Sequence, residues 1–386
     1  MSMLLMMLGM LAVCLGMARF ADGADGEADR WRVYLGTASQ EGSKGVYLAE
    51  LDLKAGRLSE PCLAVEAEGP TFQAMHPNGR WMYSVGAMSQ ADGGKVGVVY
   101  AFAVDRATGG LTLINHQPSG GDGPCYVTVD PAGRGVLVAN YSSGSVAVLP
   151  IQADGQLGEA SCVVAHTGSS ANPRRQKGPH AHAIQVHPAG RFALAADLGA
   201  DRLFVYRYNS EAGQLELLEE GSLTAAAGAG PRHFAFHPTL DVVYLINELD
   251  STVLALAFDV EAGRLTQLQS ETTLPSGFEG ENYPSEVAVH PSGRFLYGAN
   301  RGHDSLATFR IDASTGRLES AGHVSIEGTF PRHFAIDPTG RYLIAAHQKS
   351  NDLTVFELDA TTGEPTFTGQ RVSLGTPMSV LYQPMP

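Results

Sequence analysis

One repeated turn constrains this chain more than any other feature. His or Asp followed by Pro-x-Gly-Arg occurs at His76–Arg80, Asp130–Arg134, His187–Arg191, His290–Arg294 and Asp337–Arg341, with a degenerate copy at His237–Asp241. Proline presets φ at the second turn position and glycine supplies a positive φ, so each copy reads as a tight hairpin. Successive copies lie 47 to 57 residues apart. A second mark, Gly-x-Leu, falls between them at Gly56, Gly109, Gly155, Gly213, Gly263 and Gly316, and in degenerate form at Gly363. The intervening segments, such as Val242–Ile246 and Val253–Phe258, are short and rich in β-branched and aromatic residues, which is strand composition. One unit is therefore strand A, Pro-Gly turn, strand B, loop, strand C, Gly-x-Leu turn, strand D. Four strands in about 50 residues is the period of a β-propeller blade.

A third mark counts the blades. Pro70, Pro124, Pro231, Pro284, Pro331 and Pro377 each stand seven residues before a turn proline or its C-terminal counterpart, Pro384. Pro179 stands nine before Pro188, a two-residue insertion. Seven A strands follow, but only six are continued by their own B, C and D. The missing three are at the N-terminus: Trp31–Thr37, Val46–Leu53 and Leu58–Val65. The pattern predicts an all-β, seven-bladed propeller of four-stranded antiparallel blades. Its ring is closed by Met378–Gln383 pairing beside the N-terminal strands, which removes the exposed sheet edges at the seam. No helical period separates the strands, which excludes a parallel α/β sheet.

Such a ring needs a large core and many turns. Of 386 residues, 44% are apolar and 45 are Gly. The net charge of −14 argues against nucleic acid or an anionic membrane as partner, and any anionic substrate needs a local cationic site. Leu4–Met17 is an apolar run too short to span a bilayer comfortably, and Gly16-Met17-Ala18 at its end offers small residues at a cleavage site. We read 1–18 as a signal peptide, 19–29 as a flexible acidic, Gly-rich leader and 30–386 as the propeller. The protein is then exported, to the periplasm or beyond, and free of the membrane once the leader is cleaved. If the leader is not a true signal peptide, the protein is cytoplasmic. Outside the leader, Cys62, Cys125 and Cys162 show no CxxC or metal spacing, so a disulfide is allowed but not implied.

Strand direction alternates within a blade, so both kinds of marked turn lie on one face. The B-to-C and D-to-A loops lie on the other. The marked face is monotonous in sequence; the opposite face varies from blade to blade and is where function belongs. Alignment from the turn prolines gives a ring of equivalent residues at the channel mouth: Thr71, Cys125, His182, Arg232, Ser285, Arg332 and Met378. His180, His233 and His333 neighbour this ring. The loops after strand B add Asn247-Glu248, Asn300-Arg301-Gly302-His303-Asp304 and His347-Gln348-Lys349. Six of the 13 histidines fall in these loops, whereas His76, His187, His237 and His290 open Pro-Gly turns and read as turn caps. His180 and His182 lack the accompanying carboxylates a metal site needs, so no metal and no cofactor are expected.

The stretches Gly178–His182, Gly230–Phe234, Asn247–Leu249, Asn300–Ser305, Phe330–Phe334 and His347–Asp352 resemble the seven-bladed lactonase propellers. That family includes 6-phosphogluconolactonases and muconate-lactonizing enzymes. The resemblance covers Trp31–Pro386 and implies catalytic roles for His180 or His182, Arg232, Glu248 and Arg301. Substrate-binding roles fall to His233, Asn300, His303, Arg332, His333 and His347. The implied reaction is metal-independent hydrolysis of a sugar-type lactone, as in 6-phospho-D-glucono-1,5-lactone and water giving 6-phosphogluconate. The partner would be that lactone or another anionic sugar acid, met by a monomer. In this scheme a His activates water, with an ordinary imidazole pKa near 6.5. The arginines stabilise the oxyanion, and Glu248 orients Arg232 or protonates the leaving oxygen. Cycloisomerisation of a carboxylated muconate-type diacid and a non-catalytic exported binding propeller are the alternatives. Fold alone does not choose among them.

Overall fold

The computed structural model describes residues 29–90 and 93–385. The expected signal peptide and nearly all of the 19–29 leader lie outside the described residues. Seven antiparallel sheets form the blades, and in six of them the first strand in chain order is innermost. Blade 5 shows the plan: Pro231–Phe236, Val242–Asn247, Thr252–Asp259 and Arg264–Thr272 pair in that order. Blade 1 closes the ring. Its inner strand is C-terminal, Pro377–Pro384, and pairs with Arg30–Thr37 in a ladder running from Trp31↔Pro384 to Thr37↔Pro377. Side chains reinforce the seam into blade 2, where Ser379 Oγ donates to Gln73 Oε1 at 2.8 Å and Gln383 Nε2 donates to the Gly79 carbonyl at 2.8 Å.

Apolar residues from facing sheets of neighbouring blades interdigitate. Val33, Leu35 and Leu51 of blade 1 pack with Ile344, Leu353 and Val355 of blade 7. On the marked face, polar groups stitch blade to blade. His76 Nδ1 accepts the Asn78 N–H within its own turn, while Nε2 donates to the Gly133 carbonyl of the next blade at 3.0 Å. His237 and His290 repeat this with Gly293 and Gly340 at 2.9 and 2.8 Å. Gly133 is required there: its φ is +69°, and a Cβ would lie 2.6 Å from the His76 ring. A second set of stitches comes from buried tyrosines of strand B. Tyr34, Tyr83, Tyr244 and Tyr297 donate to the carbonyls of Gly109, Gly155, Gly316 and Gly363, the glycines of the next blade's Gly-x-Leu or equivalent turn. Cys62, Cys125 and Cys162 are free thiols.

Candidate active site

The mouth is shaped by a repeated irregularity. In blade 5, Pro231 pairs with Asn247 but His233 pairs with Ile246, so Arg232 is left over as a β-bulge. The same slip leaves over Cys125, His182, Arg332 and Met378, and in blade 6 it sets Ser285 and Glu286 against Ala299. A bulge bends its strand and re-aims its side chains. Here it turns both the ring residue and its successor toward the channel. The resulting small pocket is lined by Thr71, Phe72, Cys125, His182, Arg232, His233, Arg332, His333 and Met378. Six of the seven ring residues expected from register line it. Ser285 does not; its carbonyl accepts from Arg232 Nη1 and its hydroxyl donates to the Pro331 carbonyl.

Most of the cationic charge is already committed. Glu248 Oε2 accepts from Arg232 Nε at 3.1 Å and Arg301 Nη2 at 2.7 Å, and Oε1 accepts from Arg175 Nη2 at 2.7 Å. Burial pushes the Glu248 pKa up, but Arg301, Arg232, His182 and Arg175 together hold it far below the usual carboxylate range. An ionised, triply paired carboxylate has no proton for a leaving group. Its ion pair with Arg232 is the geometry of the orienting role. Arg301 is further tied to the carbonyls of Tyr283 and Pro284 and does not line the pocket. Arg332 is different. It is half-buried in the pocket wall and makes no hydrogen bond or ion pair to any described residue. Burial and the nearby Arg301 charge lower its pKa to about 10, which leaves it cationic at neutral pH.

The histidines separate into two kinds. His182 lines the pocket with Nδ1 3.9 Å from Cys125 Sγ. Burial and the Arg232 charge push it well below 6.5, so it is neutral, and the ordinary imidazole titration expected from sequence is displaced toward acid. His180 lies outside the pocket lining, stacked on Tyr141 at 4.5 Å with Nδ1 bonded to the Tyr141 carbonyl. His233 and His333 line the pocket and both meet Glu286 Oε2, at 2.8 and 3.1 Å.

Three residues expected as substrate contacts, Asn300, His303 and His347, lie outside the pocket lining. Asn300 Nδ2 donates to the Thr273 carbonyl and Ser305, while Oδ1 accepts from Thr273 and Asn282, so its polar capacity is fully used between blade 6 and the segment that enters it from blade 5. His347 is wholly buried against Thr354 at 2.7 Å. Asn140 and Asn247 occupy the same B-strand end and pin Ser145 and Thr252. The residue one step further, Tyr141, Glu248 or Arg301, is the one that joins the arginine cluster. His303 bonds Ser305 and packs on Phe278, away from the pocket. Sequence reading missed Tyr141, Arg175 and Glu286. Tyr141 was legible, since Asn140-Tyr141 stands in register with Asn247-Glu248. Arg175 sits in the long loop before Pro179, which has no counterpart in other blades. Glu286 follows the ring residue Ser285, but only the bulge brings it inward. Among the described residues, no group of three or more His, Cys, Asp or Glu is arranged to hold a metal ion.

The family model for the seven-bladed β-propeller lactonases matches residues 32–382. The chain belongs to that family. Within the lactonase family, a 6-phosphogluconolactonase of Bacillus subtilis is 40% identical over 297 residues, covering 77% of this chain and 82% of its own. The structure of a periplasmic gluconolactonase from Pseudomonas aeruginosa superposes with a TM-score of 0.87 at 34% identity, covering 92% of this chain and 100% of its own. A putative 6-phosphogluconolactonase from Bacteroides fragilis does so with a TM-score of 0.85 at 31% identity, over 94% and 100%.

Proposed function

We propose that this lactonase-family propeller hydrolyses a six-membered sugar lactone of the glucono-1,5-lactone type, 6-phosphorylated or not, without a metal. One observation carries the reading: Arg332 is a cation without a partner in a small pocket whose other walls present neutral imidazoles. A half-buried, unpaired guanidinium suits the oxyanion that develops when water adds to a lactone carbonyl. Glu248 holds Arg232 in place behind it. Hydrolysis fits better than cycloisomerisation of a diacid, which calls for receptors for two carboxylates, whereas Arg232 and Arg301 are engaged with Glu248. An unphosphorylated lactone suits an exported protein and matches the name of the P. aeruginosa neighbour; a 6-phosphorylated one matches the name of the B. subtilis relative. The test is pH-stat titration with glucono-1,5-lactone, its 6-phosphate and a carboxylated muconolactone, corrected for spontaneous hydrolysis. Turnover of a gluconolactone supports the reading. Turnover of the muconolactone alone, or of none of the three, overturns it.

A further inference from the structure

His233, Glu286 and His333 come from the innermost strands of three consecutive blades, and their hydrogen bonds fix the state of each. The Val380 N–H donates to His333 Nδ1 at 3.3 Å, so that nitrogen carries the lone pair and Nε2 carries the hydrogen. His333 Nε2 therefore donates to Glu286 Oε2. Glu286 Oε1 accepts the Val287 N–H at 3.0 Å. With the carboxylate ionised, His233 also donates to Oε2, from Nδ1, and its Nε2 is a bare lone pair. That Nε2 is buried, has no hydrogen-bond partner, and belongs to a ring that lines the pocket holding Arg332. A buried acceptor left unpaired is unfavourable unless something polar comes to it, and a water molecule bound for attack is such a group.

We propose that His233 is the base that activates water, and that Glu286 is the positioning residue behind it, which receives the proton His233 passes on. The proposal rests on the lactone-hydrolase reading for its reaction. As the water oxygen bonds to the lactone carbonyl carbon, its proton goes to His233 Nε2 and the Nδ1 hydrogen passes to Glu286 Oε2. The carbonyl electron pair moves onto oxygen and is met by Arg332. On collapse the ring C–O bond breaks, the leaving oxygen takes the hydrogen from Nε2, and Glu286 returns its proton to Nδ1. The product is a hydroxy acid whose carboxyl proton goes to solvent. The relay keeps the imidazole uncharged, which matters because burial and the Arg232 charge both disfavour an imidazolium at His233. His182, ring-to-ring at 5.0 Å from His233, forms the adjoining wall.

The groups facing this unit are Arg232 and Arg332, the neutral imidazoles of His182 and His333, and the phenol of Tyr126. Burial outweighs the two arginines and pushes the Glu286 carboxyl up to about 8. Protonated Glu286 cannot donate to His333, whose Nε2 already bears hydrogen, so it donates to His233 Nδ1. The imidazole hydrogen then sits on Nε2 and the lone pair is lost. Activity should rise with pH through an apparent pKa near 8.

The experiment compares wild type with Glu286→Gln in two ways. Background-corrected hydrolysis of glucono-1,5-lactone between about pH 5.5 and 9 gives kcat and KM, and ¹⁵N-histidine NMR follows His233 Nε2 over the same range. In wild type we expect Nε2 to exchange a bare lone pair for a hydrogen as pH falls through about 8, and kcat to fall with it. In Glu286→Gln that limb should vanish and kcat should drop about 10²-fold, the scale of losing base catalysis, with KM little changed. A wild-type enzyme that hydrolyses lactone while His233 Nε2 keeps one state throughout would overturn the proposal, and needs no variant that folds. A folded Glu286→Gln with unchanged kcat and pH profile would do the same. An NMR transition in a protein that hydrolyses no lactone would instead leave the histidine–carboxylate unit standing and remove the lactonase reading.

Discussion

On the face of the Pro-Gly turns, histidine is a connector. His76, His237 and His290 each accept within their own turn through Nδ1 and donate to the next blade through Nε2, so both nitrogens are used. At the mouth, the same residue type, on the same repeat, is left unfinished. His233 uses one nitrogen and Arg332 pairs with nothing described. The contrast separates polar groups that hold the ring together from those that await a ligand. A missing bond alone does not mark a site, since Asn140 Oδ1, Asn247 Oδ1 and His347 Nδ1 are also buried and unpartnered among the blade pins; the His233 ring and Arg332 differ in lining the pocket. Glu248 bridges the two classes. It is fully paired, but what it pairs is the array of arginines behind the pocket.

Variants can break this comparison. The largest effect is expected from Glu248→Gln. It would leave three arginines facing a neutral amide and should cost about 3–5 kcal/mol, the scale of removing one partner from a buried ion pair. Turnover should fall with it, because Arg232 loses its anchor. The sign with pH follows from the lowered Glu248 pKa: its stabilisation is full above the ordinary carboxylate value of 4.5 and fades as pH falls toward the depressed one. Urea melts of both proteins should therefore differ at pH 7 and converge as the medium becomes strongly acidic. Equal stability at pH 7 would mean that the cluster is not the electrostatic unit described. A smaller effect is expected on the turn face. Gly133→Ala must accommodate a φ of +69° and a Cβ 2.6 Å from the His76 ring, and should cost about 1–2 kcal/mol. Activity per folded molecule should be unchanged. If kcat/KM fell with stability there, the two faces would not be independent and the comparison would fail.

The ring, its seven blades and its closure were legible because each rests on spacing, and spacing survives the variation between blades. The channel-mouth positions were legible for the same reason: counting back from each turn proline finds the residue that the bulge later exposes. Residue roles at the mouth were less so. Asn300 and Arg301 are adjacent in sequence, and only the structure shows that the first spends its hydrogen bonds on neighbouring loop and strand residues while the second reaches Glu248. His347 read as a substrate contact because it opens the loop after strand B and lies in a family-like stretch, yet its position is the one where Asn140 and Asn247 pin strand to strand. Arg175 comes from a loop outside the repeat register, and no periodicity could place it opposite Glu248 across 73 residues of sequence.

The central claim is that the unpaired cation at the mouth is there for a reacting lactone. Arg332→Ala tests it most directly, with kcat/KM on glucono-1,5-lactone and the melting temperature measured on one preparation. kcat/KM should fall about 10²–10³-fold, the usual loss for one oxyanion donor, with the melting temperature unchanged because a half-buried guanidinium that pairs with nothing described has gone. Unchanged kcat/KM per folded molecule with a lowered melting temperature would contradict it and make Arg332 one more piece of the scaffold.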